Sequence, residues 1–247
     1  MAARAGALKN RLIAALPEEV RRRWLAQLEP EELRLGEVLY EPGKMLSHAH
    51  FPTTAIVSLL HGMQDGASAE IAMLGNEGML GLSLVMGCGS TTTRGVVQSS
   101  GQAYRLPAAL LRSEFERGGA TRELLLLYAQ ALFSQVTQIA ACNRHHNIEQ
   151  QLCRWLLLSL DRLDSAELTI TQELISNLLG VRREGVTAAA AKLQRRGAIQ
   201  YSRGRITISD RNLLERCACE CYGAVRDEYE RLLPEPGRNG PWRVYRS

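Results

Sequence analysis

Seven basic side chains crowd one short stretch of this sequence, at Arg182, Arg183, Lys192, Arg195, Arg196, Arg203 and Arg205, with Glu184 the one acid among them. The stretch Val181 to Arg205 therefore carries +6, and the rest of the 247-residue chain carries −2. A local excess of this kind is the footprint of a polyanion site, most often nucleic acid. The residue types offer more than charge. Arginine can bond guanine through O6 and N7, and glutamate can accept from the cytosine amino group. Arg182, Arg183, Glu184 and Thr187 would make such contacts, and Arg203 and Arg205 would grip phosphates. Thr171 and Lys192 complete the expected set of DNA contacts.

Those residues need elements to hold them. Thr171 is a good N-cap for a helix over Gln172–Leu179, and Gly180 closes it in the left-handed region. Val181-Arg182-Arg183-Glu184 opens a second helix that runs to Arg196, burying Val186, Ala190 and Leu193. Two short helices around a glycine-containing turn make a helix-turn-helix, whose second helix presents its first residues to base edges in the major groove. Ala198 to Ile208 alternates as two strands joined at Arg203-Gly204, a wing with arginines at its tip. The basic stretch is then recognition helix 182–196 plus wing 199–208.

Upstream, 45% hydrophobic and 23% charged residues exclude a disordered tail and a collagen-like fibre. The first thirty residues read as two short helices, with Pro17 and two glutamates suiting a first turn. From Glu31 to about Leu106, short apolar runs separated by Gly, Pro, Asp and Asn predict an antiparallel β-roll. After Gly118-Gly119, Leu125, Tyr128, Leu132, Val136 and Ile139 form one stripe of a long helix. Leu124, Leu126 and Leu127 widen its apolar surface beyond that face, which predicts a second partner and hence a dimer helix. The fold class is α+β, with a β-roll and helical lead-in over 1–117, a dimerisation helix over 118–146 and a winged helix-turn-helix with a C-terminal tail over 147–247. No apolar run is long enough to span a bilayer and no leader opens the sequence, so the expected compartment is the cytoplasm, with reduced thiols and no membrane partner.

The chain resembles the Crp/Fnr family of bacterial transcription regulators. The resemblance rests on Gly180-Val181-Arg182-Arg183-Glu184-Gly185-Val186 and Tyr201-Ser202-Arg203-Gly204-Arg205, supported by Glu41-Pro42-Gly43 before Phe51-Pro52. It implies a homodimer on a two-fold symmetric operator, RNA polymerase as a further partner, and a small-molecule or nucleotide effector sensed by the roll. It also assigns Arg183 and Glu184 as the base-reading pair. Some members carry another arginine four residues after Glu184; here it is Ala188, so operator specificity does not carry over. Cyclic-nucleotide-binding members share a Gly-Glu for the ribose and an Arg-Ser/Thr-Ala for the phosphate. The corresponding stretches read Gly75-Asn76-Glu77-Gly78 and Thr91-Thr92-Thr93-Arg94-Gly95, with Glu77 and Arg94 displaced. Those two residues are the effector-binding candidates, and the displaced arginine argues against cyclic AMP. The alternative reading is a cyclic-nucleotide or cyclic-dinucleotide signalling module whose DNA binding is ligand-gated.

The oxygen-sensing members share an N-terminal cysteine cluster, whereas the first cysteine here is Cys88. Cys217, Cys219 and Cys221 follow the wing; on a helix, Cys219 would point away from the other two, and all three read as small buried hydrophobes. Cys142 with His145 and His146 pairs a thiol with bases but lacks an oxyanion site, and the histidines read as a helix C-terminus. No catalytic residue, cofactor or metal ligand is expected, and the chain is not read as an enzyme.

Overall fold

The computed structural model describes residues 2–163 and 165–233; Trp242 and Tyr245, expected to tuck against a neighbour from a flexible tail, lie outside them. Three helices lead in, α1 (Ala2–Ala7), α2 (Arg11–Ala15) and α3 (Glu18–Leu25), one more than the sequence predicts. Asn10 caps α2 by accepting from Leu12 and Ile13 N–H, and its amide donates to Pro52 and Gly78 carbonyls at 2.8 Å. One buried side chain thus starts a helix and pins it to the roll.

The roll consists of β1 (Glu29–Leu33), β2 (Val38–Tyr40), β3 (His48–Pro52), β4 (Ile56–Gly62), β5 (Ser68–Leu74), β6 (Arg94–Ser99) and β7 (Gly101–Pro107). They form two antiparallel sheets, ordered β1-β7-β3 and β2-β6-β4-β5. Alternation buries Ala49 and Phe51 of β3 opposite Leu106 and Tyr104 of β7, with Trp24 edge-on to Phe51 at 5.5 Å.

Two helices follow, α4 (Ala108–Arg117) and α5 (Gly119–His145). Leu125, Tyr128, Leu132 and Ile139 of the stripe are buried within the chain, where α5 packs on β5 and on the last helix. The roll and the C-terminal helix cover that face of α5. The large apolar side chains that α5 leaves exposed are Leu126 and Phe133, seven residues apart and 54% and 63% accessible. By length and composition α5 is also apolar enough to cross a membrane, a property the sequence reading did not grant it. Its buried stripe makes it a core helix of this fold.

The remainder is α6 (Ile148–Leu160), β8 (Glu167–Thr169), α7 (Gln172–Leu179), α8 (Arg183–Arg195), β9 (Ile199–Ser202), β10 (Arg205–Ile208), α9 (Arg211–Cys217) and α10 (Cys221–Leu232), with a sheet ordered β8-β10-β9. Asn147 and Gln150 form a capping box at the start of α6. Helix α10 returns along α5, and α7 packs on β5, so the winged segment is seated on both the roll and the long helix.

That seat is polar as well as apolar. Gln135 of α5 accepts from Met73 N–H and donates to Met73 O and Tyr229 Oη. Ser58, Glu70 and Gln98 of the roll link to Ser159 of α6. Burial pushes the Glu70 carboxyl up to about 7, against the Ser58 hydrogen bond and the charges of Arg154 and Arg162. Ser58 has one proton for two acceptors, at 2.5 Å (Glu70) and 2.8 Å (Gln98). A protonated Glu70 resolves this by donating to Ser58, which then donates to Gln98. A carboxyl that holds its proton more tightly folded than unfolded loses stability as pH rises from about 4.5 toward about 7, then levels off. Glu70→Gln, which keeps a donor there, is expected to raise the melting temperature at pH 8 and flatten that fall, with on the order of 1–3 kcal/mol at stake. Thermal unfolding across pH 5–8 checks it.

Candidate nucleic-acid interface

The local signals produce a two-helix unit with a hairpin beside it. Thr171 Oγ1 accepts from Leu174 N–H at 3.1 Å, capping α7. Gly180 takes φ +66°, ψ +33°, and its N–H bonds Ser176 O. Arg182 occupies the N-cap position of α8 in extended conformation, so its guanidinium leaves the helix at its very start. Val186, Ala189, Ala190 and Leu193 bury one face of α8. Gly185 approaches α6 so closely that a Cβ would sit 2.5 Å from Ile148 Cδ1. Arg183, Glu184 and Thr187 are exposed on the other side, and Thr187 Oγ1 lies 2.6 Å from Gln172 Oε1, tying recognition helix to supporting helix.

In the wing, Ser202 pairs with Arg205 across a two-residue turn in which both Arg203 (φ +49°) and Gly204 (φ +76°) are left-handed. This is the geometry of a type I′ hairpin, in which Gly or Asn is the usual first residue. Ile170 N–H donates to Gly204 O at 2.8 Å, fixing the wing tip beside the N-cap of α7.

The seven basic residues divide. Arg182, Arg183, Arg195 and Arg203 have no ion-pair or hydrogen-bond partner for their guanidinium groups among the described residues. Lys192 and Arg196 both engage Glu149 of α6, at 2.5 and 3.1 Å, and Arg205 lies 3.5 Å from Glu167. Lys192, expected among the DNA contacts, stands half a turn from Arg183 on the flank that meets α6. Arg195, left out of that set, shares the exposed face of Glu184, Ala188 and Ala191, and lines a concave surface with Gln172, Thr187 and Tyr201. Its spacing of eleven from Glu184, three helical turns, was the available signal.

Residues 150–217 match the model of the Crp-like helix-turn-helix domain. Solved structures cover more of the chain. FixK2 from Bradyrhizobium japonicum aligns with a TM-score of 0.65 at 14% identity, over 78% of this chain and 98% of that one. A transcriptional regulator of the CRP family from Thermus thermophilus gives 0.64 at 17%, over 76% and 96%. The c-di-GMP responsive global regulator CLP of Xanthomonas campestris gives 0.61 at 14%, over 78% and 100%. This chain has the Crp/Fnr regulator fold. A search of the curated proteins finds no match.

Within the Crp/Fnr fold, the two effector candidates have other engagements. Glu77 is 5% exposed and paired with Arg162, whose Nε and Nη2 lie 2.8 and 2.7 Å from Oε1. Arg94 is half-exposed and bonds Glu41 at 2.8 Å. The glycines around Glu77 are packing slots. A Cβ at Gly75 would meet Arg162 at 2.7 Å, and one at Gly78 would meet the Tyr128 ring and hydroxyl at 2.7 Å. Gly75-Asn76-Glu77-Gly78 thus receives side chains from α5 and from the segment after α6.

The cysteines after the wing separate in a way the Crp/Fnr resemblance did not suggest. Cys217 ends α9 within the main apolar core, whereas Cys219 and Cys221 join Cys142 in a small cluster of their own. The sequence reading had set Cys219 apart from Cys217 and Cys221; Cys217 is the one the fold sets apart, because the chain is not helical between Cys217 and Cys221. His146 lies beside that cluster, with Nδ1 3.5 Å from Cys221 Sγ.

Proposed function

We propose that the chain is a dimeric, sequence-specific DNA-binding transcription regulator acting in the cytoplasm. Helix α8 reads the major groove through Arg182, Arg183, Glu184, Thr187 and Arg195, and the wing holds the backbone through Arg203 and Arg205, beside Thr171. A second copy packs along the exposed flank of α5 at Leu126 and Phe133, and RNA polymerase is the further partner. The observation that carries this reading is the set of four arginines left unpaired, among the described residues, on one helix and its wing, while the neighbouring cations are neutralised by Glu149 and Glu167. Exposed guanidinium groups with no carboxylate partner suit an anionic ligand.

An effector acting on such a regulator would work through the polar seat of the winged segment, where Glu70, Glu77, Gln98 and Gln135 meet α6 and α10. The Xanthomonas regulator is described as c-di-GMP responsive, and a cyclic dinucleotide is the second ligand class to try after cyclic AMP and cyclic GMP. Engagement of Glu77 or Arg94 by any of them requires breaking the ion pairs those residues make here. A ligand that binds the folded chain raises its melting temperature by mass action; no rise at millimolar concentration removes that ligand.

The test of the main reading is selection of duplex DNA from a randomised pool. The expected product is a two-fold symmetric site with half-sites about one helical turn, roughly 34–36 Å, apart. The two backbone-holding arginines of each wing predict a log–log salt slope of about −4 for the dimer, at about −0.9 per phosphate. Recovery of no enriched sequence, or a slope near zero, sinks the proposal. Arg203 gives a sharper check, because an L-residue in the left-handed region costs about 1 kcal/mol. Arg203→Asn is expected to raise stability by up to that amount while weakening binding to all duplexes alike and reducing the slope by about 2 per dimer. Denaturant unfolding and fluorescence anisotropy at several salt concentrations read the two effects separately.

A further inference from the structure

We propose that Cys142, His146, Cys219 and Cys221 form a mononuclear, tetrahedral Cys3His site for a zinc-class divalent cation, joining the hinge end of α5 to the start of α10. The site does not depend on the DNA-binding reading.

The geometry is that of one ion. The three Sγ atoms and the imidazole nitrogen all lie within 4.8 Å of one another. Cys142 Sγ and Cys219 Sγ are 3.5 Å apart, as are Cys221 Sγ and His146 Nδ1. Zinc bonds of about 2.3 Å to sulfur and about 2.0 Å to nitrogen place tetrahedral ligands roughly 3.5–3.8 Å from each other. A four-iron cluster spreads its thiolates around the corners of a cube and needs a wider set than this one.

Two local features build it. Cys142 and His146 stand four residues apart at the end of α5, hence on one face. Helix α5 stops there, with His146 already extended at φ −105°, ψ 151°. Cys219 and Cys221 stand two apart, which on a continuous helix would point them in different directions. The chain instead breaks between α9 and α10, with Ala218 extended and Glu220 helical, and both sulfurs turn toward α5.

The surroundings suit a ligand set. His146 Nε2 lies 3.3 Å from Glu220 Oε1, the carboxylate–histidine arrangement that orients metal-bound imidazoles. Gln138 Nε2 donates to Cys221 Sγ at 3.0 Å. Metal binding would release the thiol protons of the three cysteines, as thiolates are the ligating form. Cys153 and Cys217, buried in the main core, show what purely apolar cysteines look like in this molecule. With four protein ligands the site is closed, which marks it as structural rather than hydrolytic.

The full chain, purified reduced and without chelator, is expected to carry one equivalent of zinc by elemental analysis. Apoprotein titrated with Co2+ should develop tetrahedral ligand-field bands and thiolate charge-transfer absorption, both abolished by added Zn2+. Cys219→Ser and His146→Ala should lose the metal or its cobalt spectrum, whereas Cys88→Ser, Cys153→Ser and Cys217→Ser keep it. Glu220→Gln should weaken affinity about 10–100-fold while preserving the spectrum. The cobalt titration of the unaltered chain decides the matter even where a variant misfolds. No bound zinc together with no cobalt absorption, an octahedral cobalt spectrum, or full metal retention by Cys219→Ser overturns the proposal.

Discussion

Arg183→Ala is expected to lower affinity for the selected operator by about 1–3 kcal/mol per half-site, up to twice that for the dimer, and to relax discrimination at one base pair in each half. Arg183 is the first residue of α8, exposed, with an unpartnered guanidinium. It makes no packing contact whose loss could unfold the helix, because the buried face is Val186, Ala189, Ala190 and Leu193. The effect should therefore appear in specific binding with little change in melting temperature. A phosphate contact would weaken every duplex by the same factor, whereas a base contact weakens the cognate site most. Competition by operators altered one base pair at a time distinguishes the two. Lys192→Ala is the internal control: Glu149 keeps Arg196 as a partner, so affinity should fall by less than about 1 kcal/mol, in line with a surface ion pair. Equal losses for the two variants would mean that the groove-facing side of α8 has been misjudged.

Arg162→Met is expected to destabilise the chain by about 3–5 kcal/mol, the usual consequence of stranding one half of a buried ion pair. Arg162 and Glu77 are both under 10% exposed, and the guanidinium also donates to Leu158 O at 2.6 Å. Glu77 Oε2 already lacks a partner, so without Arg162 the buried carboxylate would keep only the 3.3 Å hydrogen bond from Gly75 N–H to Oε1. Glu77→Gln alone strands the guanidinium instead and should be comparably harmful. The double variant Glu77→Gln/Arg162→Met removes both charges and should recover most of the loss. Denaturant unfolding of the four species gives the coupling directly. Failure of the double variant to recover would place the cost in packing against Gly75, whose missing Cβ makes room for the Arg162 stem.

The pair also shows where reading the sequence stops. Glu77 sits in a glycine-flanked stretch that resembles a degraded ribose-binding motif, and none of its sequence neighbours indicates otherwise. Its partner is 85 positions away. The stripe on α5 has the same history: its period is correct, but whether it faces the roll, α10 or another copy depends on where α10 returns, a contact between segments about 94 residues apart. Lys192 belongs to the basic count yet is claimed by Glu149, and the cysteine cluster needs α5 and the α9–α10 junction to meet across 77 residues.

By contrast, the local architecture of the helix-turn-helix and its wing was legible. Thr171 caps, Gly180 reverses the chain, apolar residues recur at helical spacing and Arg203-Gly204 turns the wing, each acting within a few residues of itself. The sequence by itself therefore determined the helix-turn-helix, the wing, the roll and which arginines belong to them. Only the tertiary structure decided which of those arginines remain unpaired, which face of α5 is exposed, and that a histidine and three of the six cysteines converge on one point. Caps, turns and periodicities are local free-energy preferences written in neighbouring residues, whereas ion pairing and ligand convergence depend on distances that exist only once the chain has folded.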